Sequence, residues 1–427
     1  MPSHSRRRAD YYRDFVGIGR VFCTFARDVL PVVIKILQEE QERRQKVPRP
    51  RDHLAKYDWF CRGNLKDKKV FKARYRMSQD EFQQLFDLLL PHIALKHPTR
   101  HSLPEENRLG LTLRFLAGGS YLDLSQIHGI YPDTVYRIVK QVLMGIYNSM
   151  DTDFPIGNSE ELQRIADGFS KRSKRAWRKC CGALDGSIIR INRPSSKDSM
   201  FPDQYFCRKK CYAINMLAIC DSQYVFRWFS TRFPGSTHDA TGYAVSPLGQ
   251  RLLHTPLPKG YWIAADGGFA CSDGVITPYP GDVDVDSDEQ VFNHFHSSTR
   301  MHIEQAFGHL KERWGILRRP LETELFQSRI IIQCCIFLHN FLARLRGDNP
   351  SPKLGLPPPV DAPPGGIEEP ELDCSGSPGS RYSTSASTPS GAAMRDQLRD
   401  ELIAFLAENP DVRRQEDDDD SDDSDDN

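Results

Sequence analysis

In Gly182-Ala183-Leu184-Asp185-Gly186-Ser187-Ile188-Ile189 a short apolar run delivers one carboxylate into a strand-like pattern, and the periodicity of the chain switches there from helical to β. Two later stretches supply matching acids. Asp266 ends the strand-like Gly260-Tyr261-Trp262-Ile263-Ala264-Ala265, and Glu304 lies on a helical pattern near Arg300, Phe307, Leu310 and Lys311. Hard divalent cations prefer carboxylate and water ligands, and two-ion phosphoryl transfer needs several anions to neutralise metals about 3.5–4 Å apart. Asp185, Asp266 and Glu304 suit such a pair of Mg2+ or Mn2+ ions. A chain with 57 acidic residues offers many triplets by spacing alone, so the local contexts carry the argument.

The neighbouring segments follow a definite order. Residues 183–191, 212–221 and 224–230 read as three strands at hairpin spacing. Pro234-Gly235-Ser236-Thr237-His238-Asp239 then turns into a helix through Ala240 to Leu248, and 261–265 forms a fourth strand. A long loop with the acidic run Asp282 to Glu289 leads to a helix from Thr299 to Leu317. Three strands, a helix, a strand and a helix, with acids on the first strand, the fourth strand and the last helix, is the order of the ribonuclease H-like fold. The expected class is therefore α/β, a ribonuclease H-like catalytic domain preceded by an all-α region that contains a helix-turn-helix.

That all-α region runs from Phe71 to Met150. Ser78 before Asp80-Glu81 and the set Phe82, Leu85, Phe86 and Leu89 predicts an N-capped amphipathic helix. A second helix follows Pro104 and stops at Gly118-Gly119. A short helix over Tyr121 to His128, a turn at Gly129-Ile130-Tyr131-Pro132 and a helix from Asp133 have the helix-turn-helix arrangement, with Thr134, Tyr136, Arg137 and Lys140 facing DNA. An ordinary helical hairpin with Val135, Ile138, Val139 and Val142 as its core is the alternative.

Charge is distributed unevenly along a chain whose formal net charge is zero. Residues 1–75 hold 19 basic against 9 acidic side chains, and residues 415–427 hold 9 acidic side chains and no basic one. Lys171-Arg172-Ser173-Lys174-Arg175 and Arg178-Lys179 precede the first acidic strand, where they serve either as phosphate contacts or as solvated surface. Arg6-Arg7-Arg8 is a nuclear-localisation or phosphate-contacting element, or simply a solvated terminus. Eleven cysteines without a Cys-x-x-Cys pair, including Cys180-Cys181 and Cys334-Cys335 in apolar or pre-strand contexts, point to a reducing intracellular compartment. Val29 to Leu37 is too short to span a bilayer, and neither secretion nor a membrane partner is expected.

The expected organisation is a basic arm with a helix at 1–70, the helical DNA-binding region at 71–150 and the nuclease domain at 160–346. A disordered Pro/Gly/Ser linker follows at 347–392, then a short amphipathic helix at 393–408 suited to docking a partner, and an acidic disordered tail at 409–427.

Several motifs in one order make residues 180–345 resemble the PIF/Harbinger transposases and the nucleases derived from them, DDE superfamily endonucleases. They are Gly182-Ala183-Leu184-Asp185-Gly186-Ser187, Arg208-Lys209-Lys210 with Asn215 and Cys220-Asp221, and Phe233-Pro234-Gly235-Ser236-Thr237-His238-Asp239. Ala265-Asp266-Gly267-Gly268-Phe269, Thr299 to Gly308 with Leu310-Lys311, and Leu338-His339-Asn340 complete the set. The resemblance implies metal-dependent cleavage of double-stranded DNA at transposon ends and strand transfer, with Asp185, Asp266 and Glu304 as catalytic and metal-binding acids. Asp239 is the competitor for the second position. Asp266 is preferred because it ends a strand adjacent to the first, whereas a carboxylate opening a helix is explained by capping.

Arg208, Lys209, Lys210, Arg300 and Lys311 join the residues expected at DNA, although Arg300 and Lys311 would equally pair with Glu304. The resemblance further implies a nuclear protein, a Myb-like accessory DNA-binding partner and a homo-oligomer that holds two ends. The alternatives are a domesticated DNA- or chromatin-binding protein of the same fold, and a host nuclease that cuts without strand transfer. His294, His296, His302 and Cys271 lack the paired spacing of a zinc site, and a structural or DNA-side role is expected for them.

Overall fold

The computed structural model describes residues 67–95, 102–149, 154–347 and 387–412. The arm and helix expected up to residue 66, most of the expected linker and the tail beyond residue 412 lie outside the described residues.

Five helices open the described chain: α1 (Lys68–Tyr75), α2 (Gln79–Ile93), α3 (Glu105–Leu116), α4 (Tyr121–His128) and α5 (Pro132–Asn148). Ser78 caps α2 in a reciprocal box: its hydroxyl accepts from the Glu81 N–H at 3.2 Å, and its own N–H donates to the Glu81 carboxylate at 2.6 Å. Gly129 closes α4 at φ +60°, a left-handed conformation that glycine adopts without a Cβ penalty, and Pro132 starts α5 at a position where no N–H is needed. The two helices and the turn between them thus lie where the sequence places them. Val135, Ile138, Val139 and Val142 are core residues.

After α6 (Ser159–Arg172) come β1 (Cys180–Arg190), β2 (Ala213–Cys220), β3 (Phe226–Pro234), α7 (Asp239–Val245), α8 (Pro247–His254), β4 (Trp262–Ala265) and β5 (Val275–Ile276). The mixed sheet has the order β3-β2-β1-β4-β5. β1 and β2 pair antiparallel, as do β2 and β3, while β4 and β5 run parallel to β1. Every residue of β2 is buried, as expected of a strand covered on both faces. Two long helices follow, α9 (Asp288–Arg313) and α10 (Leu325–Arg346), and α11 (Pro389–Glu408) closes the described chain.

The opening helices and the sheet share one hydrophobic core. Arg346 of α10 ion-pairs with Glu81 of α2 at 2.7 Å, and the Cys334 thiol reaches the Leu143 carbonyl of α5. α10 is long and apolar enough to cross a membrane, but 72% of its apolar window is buried, as befits a core helix.

Several elements differ from expectation. The single helix expected over 240–248 is two, because Ser246 ends α7 and caps α8, whose first residue is Pro247. α9 starts at Asp288 rather than near Thr299, since Ser287 caps it and Asp288 and Glu289 of the acidic run complement its N-terminal dipole. β5, two residues long, is below the length that a strand pattern reveals. Cys180-Cys181 opens β1, and Cys334-Cys335 lies within α10. α11 begins at Pro389 and packs on this chain: its N-terminus lies against Cys271 and Ser272, and Arg395 donates to the Pro278 carbonyl.

Candidate active site

β1 and β4 run parallel with Leu184 opposite Ala265, the last residue of β4, so Asp185, next on β1, and Asp266, the first residue beyond β4, both follow directly from a paired position. Parallel neighbours are about 4.8 Å apart, close enough for two carboxylates to raise one another's proton affinity. Asp266 follows the last residue of β4 and accepts the Gly268 N–H at 3.0 Å, which fixes it in the turn beyond the strand. Burial pushes the Asp185 carboxyl up to about 6; the Gly186 N–H at 2.7 Å and Arg300 work against this, and the charges of Asp266 and Asp239 add to it.

Alternation along β1 divides the surroundings of Asp185 into two faces. Asp185 and Ser187 look towards α9: the Arg300 guanidinium lies 3.6 Å from Asp185 and 2.5 Å from Glu304, and the Lys311 ammonium donates to the Ser187 hydroxyl at 2.9 Å. Gly186 looks the other way. A Cβ there would lie 2.4–2.6 Å from the Asp239 carboxylate, so α7 and Asp239 cover the opposite face of the sheet. Leu217, the partner of Gly186 on β2, meets Gly242 of α7 on that same face.

Asp239 is the first residue of α7, one position past the N-cap His238, and is the acid of its first turn. Its carboxylate accepts from the Asn215 amide at 2.6 Å, and Asn215 also donates to the Thr237 carbonyl at 2.8 Å. Burial raises the Asp239 carboxyl, with the Asn215 bond opposing and the Asp266 charge adding to the shift. Asn215 and Gly186 are the positioning residues that sequence reasoning missed, although both stand in quoted motifs. Glycine provides space and asparagine a donor, and neither role is visible until the sheet register is known.

Glu304 is half exposed and tied to Arg300. Among the described residues no three His, Cys, Asp or Glu side chains converge closely enough to cage a metal ion. The donors are nevertheless all carboxylate oxygen, the chemistry that Mg2+ and Mn2+ prefer. Mg2+ characteristically takes one or two carboxylates and completes its shell with water and substrate phosphate, so the open arrangement of Asp185, Asp266 and Glu304 fits it.

The expected DNA contacts fall in three places. Arg208, Lys209 and Lys210 are exposed at a hairpin tip beside the acids, where Arg208 lowers the Asp239 carboxyl and Lys209 lowers the Lys311 ammonium, itself depressed chiefly by burial. Arg300 and Lys311 form the ion pair and the strut already described. Thr134, Tyr136, Arg137 and Lys140 lie on α5. Arg137 reaches the Thr134 hydroxyl at 3.4 Å, while Tyr136 and Lys140 line a cavity of about 330 Å3 shared with Phe115, Tyr121, Arg319 and Gln327.

The histidines considered for zinc have separate partners. His296 is buried, bonded to the Ile276 carbonyl and stacked on Trp262, and burial pushes it down to about 4. His302 bonds the Thr299 carbonyl and packs against Phe169 and Tyr224. In the Leu338-His339-Asn340 motif, Asn340 accepts from the Phe226 N–H and donates to the Phe226 carbonyl, both at 2.8 Å, which locks the start of β3 to α10.

No curated protein and no solved structure matched this chain. Residues 184–340 match the family model described as DDE superfamily endonuclease, a span that begins one residue before Asp185, ends at Asn340 and contains all four acids, and this supports a transposase-like nuclease domain of the DDE superfamily there.

Proposed function

We propose that the protein is a metal-dependent DNA endonuclease of PIF/Harbinger transposase type, cutting phosphodiester bonds at transposon ends and joining strands on a ribonuclease H-like domain. The observation that carries this reading is that Asp185 and Asp266 directly follow the paired Leu184 and Ala265 of adjacent parallel strands, with Arg300 of α9 joining Asp185 to Glu304, within the span that matches the DDE superfamily endonuclease. The opposite-face position of Asp239 supports Asp266 as the second catalytic acid.

Asp185, Asp266 and Glu304 would hold two Mg2+ or Mn2+ ions. The chemistry such ions would supply is activation of the attacking water or 3′ hydroxyl and stabilisation of the leaving oxygen. Arg300 holds Glu304 and neutralises part of the acidic charge until DNA and cations arrive. Asp239, behind the strand, adds negative potential without touching the substrate. Arg208, Lys209 and Lys210 contact phosphates next to the acids, and the α4–α5 hairpin docks on double-stranded DNA through Thr134, Tyr136, Arg137 and Lys140. The protein acts in the nucleus, with a Myb-like accessory protein and a second copy holding the other end.

The test is incubation with DNA carrying candidate element ends. Wild type cuts in Mg2+ or Mn2+, and both EDTA and Asp185→Ala abolish cutting. DNA that is bound but left intact with either metal would contradict the nuclease and favour a domesticated DNA- or chromatin-binding protein.

A further inference from the structure

The basic hairpin beside the acids carries a pair of thiols that the nuclease reading does not use. Cys207 and Cys211 flank its tip with their sulfurs 3.5 Å apart. The Cys207 N–H donates to the Cys211 carbonyl at 2.9 Å, the Lys210 N–H donates to the Cys207 carbonyl at 3.0 Å, and Phe206 bridges to Tyr212 below. Arg208, Lys209 and Lys210 form the tip, and Lys210 sits at φ +56°, a left-handed conformation that costs a residue with a Cβ roughly 1 kcal/mol. Tight backbone closure therefore sets the two sulfurs side by side, while the residues between them stay exposed.

We propose that Cys207 and Cys211 are a redox-active dithiol that a low-molecular-weight disulfide oxidises to a disulfide, locking the Arg208-Lys209-Lys210 tip. Drawing the sulfurs from 3.5 Å to the covalent distance of about 2.05 Å requires a movement of about 1.5 Å. Cys211, half-buried, supplies that movement; Cys207 is buried, with its Cβ 3.1 Å from where a Cβ on Gly235 would stand.

The chemistry balances. The Cys211 thiolate attacks one sulfur of the oxidant and releases one thiolate, leaving a mixed disulfide. The Cys207 thiolate then attacks the Cys211 sulfur and releases the second. Two protein thiols lose two electrons and two protons, and the oxidant leaves as two thiols. Burial and the neighbouring thiol raise Cys211, while Arg190 and Lys209 beside it favour the thiolate. The other described cysteines are buried: Cys180, Cys181, Cys220, Cys334 and Cys335 are held as thiols by burial, and Cys271 lies under α11 with its thiol on the Gly391 carbonyl.

The consequence for DNA rests on the proposed function, and the thiol chemistry does not. Fixing the tip removes the entropy lost when its cations are ordered on phosphate, so the oxidised protein binds DNA at least about threefold more tightly. Treatment of the full-length protein with oxidised glutathione, followed by tryptic mapping, tests both parts. Trypsin cuts after Arg208, Lys209 and Lys210, so the expected result is two fragments still joined through Cys207 and Cys211, with the affinity gain seen in wild type and absent in Cys211→Ser. Absence of the joined fragments, or joined fragments with unchanged affinity, overturns the proposal. Reduced protein that fails to bind DNA contradicts the nuclease reading instead, and the peptide map then decides the dithiol by itself.

Discussion

Burial raises the Asp185 carboxyl from 3.8 to about 6, so above pH 6 the folded chain holds a carboxylate that the unfolded chain would solvate better. A raised carboxyl contributes stability that is fully present below pH 4 and lost as pH climbs through 6. Asp185→Asn removes that penalty. At pH 7.5 the variant should be more stable than wild type by about 1–3 kcal/mol, and the difference should vanish at pH 4, as read by denaturant titration at both values. Millimolar Mg2+ should stabilise wild type and leave the variant unmoved. Asp239 gives a second prediction, because it acts on Asp185 through charge from the far face of the sheet. Asp239→Asn should move the acid limb of the cleavage pH profile to lower pH with less than about a tenfold loss of rate, while an unmoved limb would show that the two carboxylates are not coupled. Gly186→Ala should force Asp239 off Asn215, with a loss of about 1–3 kcal/mol in the same denaturation assay. Asp185, Asp266 and Glu304 were legible as candidates because each stands in a distinctive local context. The two-faced division between Asp185 and Asp239 was not, since it depends on which strands pair and in what register.

At the level of elements, α11 matters most for the loop that carries Asp266. The Thr388 N–H donates to the Cys271 carbonyl, and a Cβ on Gly391 would meet the Ser272 and Cys271 backbone at 2.5–2.7 Å. Farther along, Tyr279 bonds Asp396 and lies under Arg395 and Arg399, and Arg399 pairs with Glu289 on α9. The helix therefore clamps the segment immediately after Asp266 to the start of the helix that bears Glu304. Gly391→Leu should lower stability by about 1–3 kcal/mol and slow cleavage chiefly through kcat, whereas Ala393→Leu on the exposed side of α11 should do neither. Equal behaviour of the two variants would remove the clamp. The amphipathic pattern of this helix was readable, but its destination was not: Leu402 and Leu406 are buried against this chain, a choice that composition leaves open between a partner and the protein itself. The same limit explains α9, whose first turn is acidic enough to read as loop until Ser287 is seen to cap it.

Over the whole molecule, neutrality conceals opposed charge, basic at residues 1–75 and acidic at 415–427. Competition between this tail and DNA for basic surface would make truncation after Arg414 raise DNA affinity at low salt and steepen its salt dependence; identical binding curves would show that the tail is a bystander. The α/β class and the order of strands and helices around the acids were legible because the hydrophobic period changes at Gly182. The merging of the opening helices with the sheet into one core was hidden, since Glu81–Arg346 and Cys334–Leu143 are long-range contacts. The central claim is that Asp185, Asp266 and Glu304 act together as one catalytic set. Its most direct test compares Mg2+- and Mn2+-dependent cleavage of element-end DNA by Asp185→Ala, Asp266→Ala, Glu304→Ala and Asp239→Ala, after confirming that each variant folds. The account predicts losses of at least about a hundredfold in the first three and a clearly smaller loss in Asp239→Ala. Full activity in Asp266→Ala with loss in Asp239→Ala, or unaltered activity in all four, would contradict it.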